Sequence, residues 1–97
     1  TCLSYERQVN TVFDQGIMTM NQAIALKSIA NENPYAASGV ISQLGAMAAK
    51  IPHYRAQLNN FTYAYRATCG ADRYSHFYGT LAAKRATVKR LATALDN

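Results

Sequence analysis

Two cysteines, Cys2 and Cys69, are the only ones in a chain of 97 residues, and each extends an apolar stripe of helical period. Before Cys69 the stripe is Tyr54, Leu58, Phe61 and Tyr65, at spacings of four and three. It lies in a stretch that opens on Pro52 and closes on Gly70, the usual punctuation of a helix. After Cys2 the stripe is Tyr5, Val9, Val12 and Phe13. A fold that joins the cysteine ends of these two stripes can close a loop of 67 residue steps. The chain-entropy model values such a cross-link at roughly 4 kcal/mol, a large share of the stability of a domain this size.

Nearly the whole chain reads as helix. Prolines number two and glycines five, and no alternating strand pattern persists beyond a few residues. The first helix is expected from Leu3 to Gln15, with Gly16 as its stop. Thr19-Met-Asn-Gln22 fits a Ser/Thr-x-x-Glu/Gln capping box, so a second helix is expected from Met20 to Ala30. That second helix is apolar on most sides and must be buried or covered. Asn33 and Pro34 make a cap and a first turn for a third helix, Pro34 to Ile51. The residue before a proline resists the helical region, so a break is expected at Pro52, followed by a fourth helix from His53 to Cys69. Gly70-Ala-Asp72 reads as a turn with Asp72 as N-cap. A fifth helix, Arg73 to Leu95, carries Tyr74, Tyr78, Leu81, Val88, Ala92 and Leu95 on one stripe, with Arg85 in the slot between Leu81 and Val88.

The expected fold is an all-α, small antiparallel bundle of four to five helices, one domain over residues 1–97. With short connections, the first four helices run up, down, up and down. Cys2 then starts the first passage and Cys69 ends the fourth, so both lie at one end with their sulfurs facing inward. The prediction is a Cys2–Cys69 disulfide, hence an oxidising compartment, periplasmic or secreted. Two reduced core cysteines are the competing reading.

The chain carries no constellation of the kind that catalysis or metal binding needs. Five carboxylates (Glu6, Asp14, Glu32, Asp72 and Asp96) are scattered singly, whereas acid–base work needs a tuned pair in one pocket. Cys2, Cys69, His53 and His76 lack the close ligand pairs of a zinc site. No phosphate loop or nucleophile motif occurs. The reading is a protein that is not an enzyme and holds no metal or cofactor. Net charge is +5, which permits an anionic partner without proving one. No run is long and apolar enough to span a membrane.

What remains is a binding role. Charged residues are only 15% of the chain, against about 25% in an average domain, so the surface is unusually neutral. The third helix has a back of Ser38, Gly39, Ser42, Gly45, Ala46 and Ala49, which suits close helix packing within the fold or a docking surface. Tyr63 falls on the outer face of the fourth helix near Arg66. Arg85 must snorkel, pair with Asp14, Glu6 or Glu32, or face a partner. The expected partner contacts are Tyr63, Arg66, Ser42, Ala46 and Arg85. The expected function is an extracytoplasmic binding protein that docks on a protein partner. That class includes a periplasmic immunity protein or inhibitor of a toxin or hydrolase, and an accessory subunit of a secretion or envelope machine. A homodimer is also compatible. The alternatives are an intracellular basic protein that binds nucleic acid, with Arg73, Lys84, Arg85, Lys89 and Arg90 on its basic helix, and a small carrier of haem or lipid. Intact mass with and without reductant separates the compartments. Both thiols are expected to resist alkylation in denaturant until reduced, and immediate alkylation of both would favour the intracellular reading.

Overall fold

The structure, a computed structural model, describes residues 1–96. Helix α1 spans Cys2–Glu32, a 3-10 turn spans Pro34–Ala36, α2 spans Ala37–Cys69, α3 spans Ala71–Thr80 and α4 spans Ala82–Asp96. The fold is an all-α bundle of four α-helices closed by the Cys2–Cys69 disulfide, with Cα atoms 5.9 Å apart. It is elongated, 53 × 20 × 16 Å. The radius of gyration is 16.1 Å, against about 12.5 Å for a compact chain of this length. The long dimension is essentially α2, whose 33 residues rise about 50 Å.

Three expected boundaries are overturned. Gly16 and Thr19 do not end and restart a helix; α1 runs through both. Thr19 is buried, and its hydroxyl lies 3.4 Å from that of Tyr54, so it braces α1 against α2 instead of capping. Pro52 does not break the chain either, because α2 runs through it. The expected fifth helix is instead two helices, interrupted at Leu81 (φ −90°, ψ 2°), whose amide donates to the Tyr78 carbonyl oxygen at 3.1 Å.

The reason lies in a longer pattern. Tyr5, Val9, Val12, Gly16, Thr19, Ala23, Leu26 and Ala30 alternate spacings of four and three along α1. Ala37, Val40, Leu44, Met47, Ile51, Tyr54, Leu58, Phe61 and Tyr65 do the same along α2. Every one of these positions is buried or half-buried. Such a seven-residue repeat keeps one seam facing an antiparallel partner. A proline inside a helix costs about 3 kcal/mol, but Pro52 sits off the seam at an exposed position. The carbonyl of exposed Ala48, left without its N–H partner, is open to water, and the seam on both sides outweighs the local cost.

The expected four passages are therefore two. The hairpin turn is capped as the sequence suggests, with the Asn33 side chain accepting from the Tyr35 amide at 3.2 Å. The cysteines still meet, since two antiparallel passages return the chain to its starting end just as four do. Beyond Cys69 the chain turns at Gly70, with φ +91°, a conformation only glycine adopts cheaply. Gly70, not Asp72, precedes the first residue of α3, and Asp72 sits in that helix's first turn. From there α3 and α4 climb back along the hairpin until the Lys27 ammonium meets the Leu95 carbonyl oxygen at 2.8 Å.

The core lies at the disulfide end, where Val9, Tyr65, Phe77 and Leu81 are buried together. Tyr65 is 1% exposed and touches three other aromatic rings: Tyr5 edge-on at 6.4 Å, Tyr74 at 6.4 Å and Phe77 at 5.3 Å. Its hydroxyl stands 3.3 Å from Glu6 Oε2 and 3.4 Å from the Arg73 carbonyl oxygen. The Arg73 guanidinium reaches the same carboxylate oxygen at 2.7 Å. This carboxylate holds the Arg73 pKa above its ordinary value. One cluster thus ties α1, α2 and α3 beside the disulfide.

Two stability experiments follow. Nothing lies within 4 Å of a Cβ added at Gly16, so Gly16→Ala is expected to stabilise by about 0.5–1 kcal/mol through helix propensity. Gly70→Ala is expected to cost about 1–3 kcal/mol, because its backbone is in a glycine region. A lowered denaturant midpoint for Gly16→Ala would refute the continuous α1, and a raised one for Gly70→Ala would refute the glycine turn. Burial raises the Tyr65 pKa above 10.0. The folded state therefore keeps the phenol proton longer than the unfolded chain does. This contribution is fully present below pH 10 and is lost as pH rises through the higher folded-state pKa. Melting temperature is expected to fall above about pH 10, and Tyr65→Phe is expected to flatten that fall; an equally steep fall would exclude Tyr65 as its source.

Candidate functional site, an arginine–tyrosine ladder

The aromatic core does not stop at Tyr65. Tyr74 passes the contact outward along α3, stacking on Tyr78 one turn later with centroids 5.7 Å apart and planes 21° apart. A cation caps each end of this pair. The Arg66 guanidinium carbon lies 5.6 Å from the Tyr74 ring centroid, and that of Arg85 lies 4.0 Å from the Tyr78 centroid. The order is Arg66, Tyr74, Tyr78, Arg85, contributed by α2, α3, α3 and α4 in turn. Arginine over a tyrosine face is a favourable arrangement worth about 0.5–2 kcal/mol depending on desolvation.

Neither arginine is neutralised by a carboxylate among the described residues. Of the three acids that Arg85 was expected to pair with, Glu6 holds Arg73 at 2.7 Å and Asp14 holds Lys84 at 2.8 Å, while Glu32, at the far end of α1, makes no ion pair with it. Lys84 also donates to Asn10 Oδ1 at 2.9 Å. Adjacent residues on α4 therefore differ sharply: Lys84 is committed to α1, while Arg85 is turned toward α2 and α3. Arg85 Nε is buried and has no hydrogen-bond partner. An unsatisfied buried donor costs about 1–3 kcal/mol, and such groups are rare enough to need a reason.

Arg85 lines a cleft of about 330 Å³ between α2 and the α3–α4 bend. Phe13, Leu58, Leu81 and Val88 supply apolar walls, and Asn59, Thr62 and the two tyrosines supply polar atoms. The Thr62 hydroxyl donates to its own helix, with the Leu58 carbonyl oxygen at 2.8 Å, so its lone pairs remain available. Tyr63, on the neighbouring face of α2, is 80% exposed.

The five expected contact residues fall into two groups. Arg66 and Arg85 cap the two ends of the ladder, and Tyr63 stands three residues before Arg66 on α2. Ser42 and Ala46 lie on the hairpin about 25–36 Å away from Tyr63 and Arg66 along α2 at the helical rise. There the small-residue back of Ser38, Gly39, Ser42, Gly45, Ala46 and Ala49 is exposed throughout, so it is not packed within the fold. The hairpin tip also exposes Ile41 at 64% and Tyr35 at 99%, neither expected from sequence. Tyr74 and Tyr78 were expected as inner-stripe residues. Tyr78 is 38% exposed, and the i, i+4 spacing of the two tyrosines with Arg85 one heptad beyond Tyr78 is the sequence signal that points to the ladder.

Two further apolar cavities, of about 200 and 560 Å³, run between the hairpin and α4 and share Met20 and Ile51. No histidine or cysteine lines either one. Among the described residues no group of three or more His, Cys, Asp or Glu side chains could hold a metal ion, and no helix is long and apolar enough to cross a membrane. The chain matches no protein-family model, no curated protein and no solved structure.

Proposed function

We propose that this chain is an extracytoplasmic docking module that binds a protein partner through the face around Tyr63, Arg66, Tyr78 and Arg85. Its class is that of a periplasmic immunity protein or inhibitor, or of an accessory subunit of a secretion or envelope assembly. The observation that carries this reading is the ladder itself: two arginines held on tyrosine faces, with no carboxylate of the described chain to neutralise them. Tyr and Arg are the residue types that dominate interface energetics. A rigid, stacked arginine also loses less side-chain entropy on binding than a free one. The disulfide supports an oxidising compartment.

A nucleic-acid surface has less support, because Lys84 and Arg73 are already neutralised within the chain and the remaining cations do not form a dense one-sided stripe. The apolar cavities beside α4 offer room for a lipid chain, and the thioethers of Met20 and Met47 and the phenol of Tyr54 are their only side chains of a kind that ligates haem iron apart from Lys27, which is held by the Leu95 carbonyl oxygen.

The test is site-specific photo-crosslinking in the native host. A photoreactive residue at Tyr63 is expected to give one discrete adduct of defined mass. Arg66→Ala combined with Arg85→Ala is expected to remove most of it. The same reagent at Gln8, which lines a groove with Gln57 and Phe61 away from α3 and α4, is expected to give none. Equal adducts from both positions, or an adduct indifferent to both arginines, would sink the docking face.

A further inference from the structure

From the Arg85 cleft we infer the chemistry of the partner: it inserts an acidic side chain, Asp or Glu, whose carboxylate accepts from the terminal N–H groups of the Arg85 guanidinium. This inference rests on the docking reading above and specifies what the docked partner must present at one point.

Three observations converge on it. The Arg85 guanidinium has no hydrogen-bond partner among the described residues: its Nε is shut in unpaired, and its terminal nitrogens are the donors left open to an acceptor from outside. The guanidinium lies over Tyr78 at 4.0 Å, which holds its plane and leaves its hydrogen-bonding edge as the reactive side. The cleft beneath it, about 330 Å³, is roomy for one short side chain and is walled mainly by Phe13, Leu58, Leu81 and Val88. A carboxylate meets an arginine edge through two parallel N–H···O bonds, and those bonds strengthen where water is excluded.

The same geometry argues against a phosphate. A dianion calls for several cations, and here the second arginine, Arg66, stands at the far end of the ladder over Tyr74. Lys84, the next residue, is held by Asp14 and Asn10. One arginine in a mostly apolar cleft suits a single negative charge on a small apolar stem, which describes an Asp or Glu side chain. The net charge of +5 favours approach of an acidic partner surface as well.

The experiment reads Arg85 directly. The Nε–Hε resonance of the intact, disulfide-bonded protein is followed by NMR during titration with acetyl-Gly-Glu-Gly-amide, with its Gln counterpart, and with inorganic phosphate. The Glu peptide is expected to shift the Arg85 signal to saturation at millimolar concentration and to bind about tenfold more tightly than the Gln peptide, the factor that accompanies a charge-assisted bond. Arg85→Lys, which keeps the charge and loses the fork, is read on the backbone amides of Leu81 and Val88 and is expected to weaken that preference several-fold, whereas Arg66→Lys is expected to leave it intact. Because the wild-type signal is read, the result does not depend on a variant folding. Equal binding of the Glu and Gln peptides, or tighter binding of phosphate, overturns the inference. If the Tyr63 adduct persists and still needs the arginines, the docking face stands and only the carboxylate assignment fails; if the adduct is absent, the docking face itself fails.

Discussion

Along the α1–α2 seam, residues separated by seven positions stay on one side of each helix for its whole length, and everything else in the molecule leans on that contact. The seam explains why a glycine, a capping-box threonine and a proline all sit inside unbroken helix. Each local signal carries a cost of order 1–3 kcal/mol, while the seam is distributed over more than a dozen side chains, each gaining from burial. It also explains the shape. Two long antiparallel helices make a rod, and α3 and α4 add a third layer along most of its length.

The disulfide and the Tyr65 cluster fix the end of the rod where the third layer begins. Cys2 and Cys69 pin the start of α1 to the end of α2. Glu6, Arg73 and Tyr65 then hold α3 against both helices. This is where the chain's charge and aromatic content are concentrated in contacts, and it provides a stiff base from which Tyr74 and Tyr78 project. The ladder is thus an outward continuation of the core: Tyr65 packs on Tyr74, Tyr74 stacks on Tyr78, and Tyr78 carries Arg85. Its rigidity comes from being attached to buried aromatics, not from the surface cations alone. The bend at Leu81 contributes as well. Leu81 is buried at 2% exposure and acts as a pivot, so α4 leaves α3 at the point where the cleft opens beneath Arg85.

The hairpin tip is different in kind. Past the level of Lys27 and Leu95 no third helix among the described residues covers it, and Tyr35 and Ile41 are exposed. Its faces are uncharged from Asn33 to Ala49. The disulfide end therefore combines charge with aromatics, whereas the tip offers small and apolar side chains without charge. The two regions are far enough apart that a partner of ordinary interface size engages one without needing the other.

The helical class, the two stripes and the cysteine pairing were legible in the chain because they depend on periodicity, which any local window displays. The pairing survived a wrong count of passages because only their parity matters for which ends meet. Helix ends were misread at Gly16, Thr19 and Pro52 because those residues were judged by their own propensities, while a seam that runs the length of both helices decided the outcome. Tyr63 and Arg66 could be placed on an outer face from their spacing in one helix. That Arg85 is left unpaired on a tyrosine face was beyond the sequence: Glu6 and Asp14 proved to be taken by Arg73 and Lys84, Glu32 lies at the far end of α1, and the stacking partner lies across a bend. Periodicity belongs to one segment and can be read from it. Which cation is left unpaired depends on which side chains of several helices reach one another, and only the packed chain determines that.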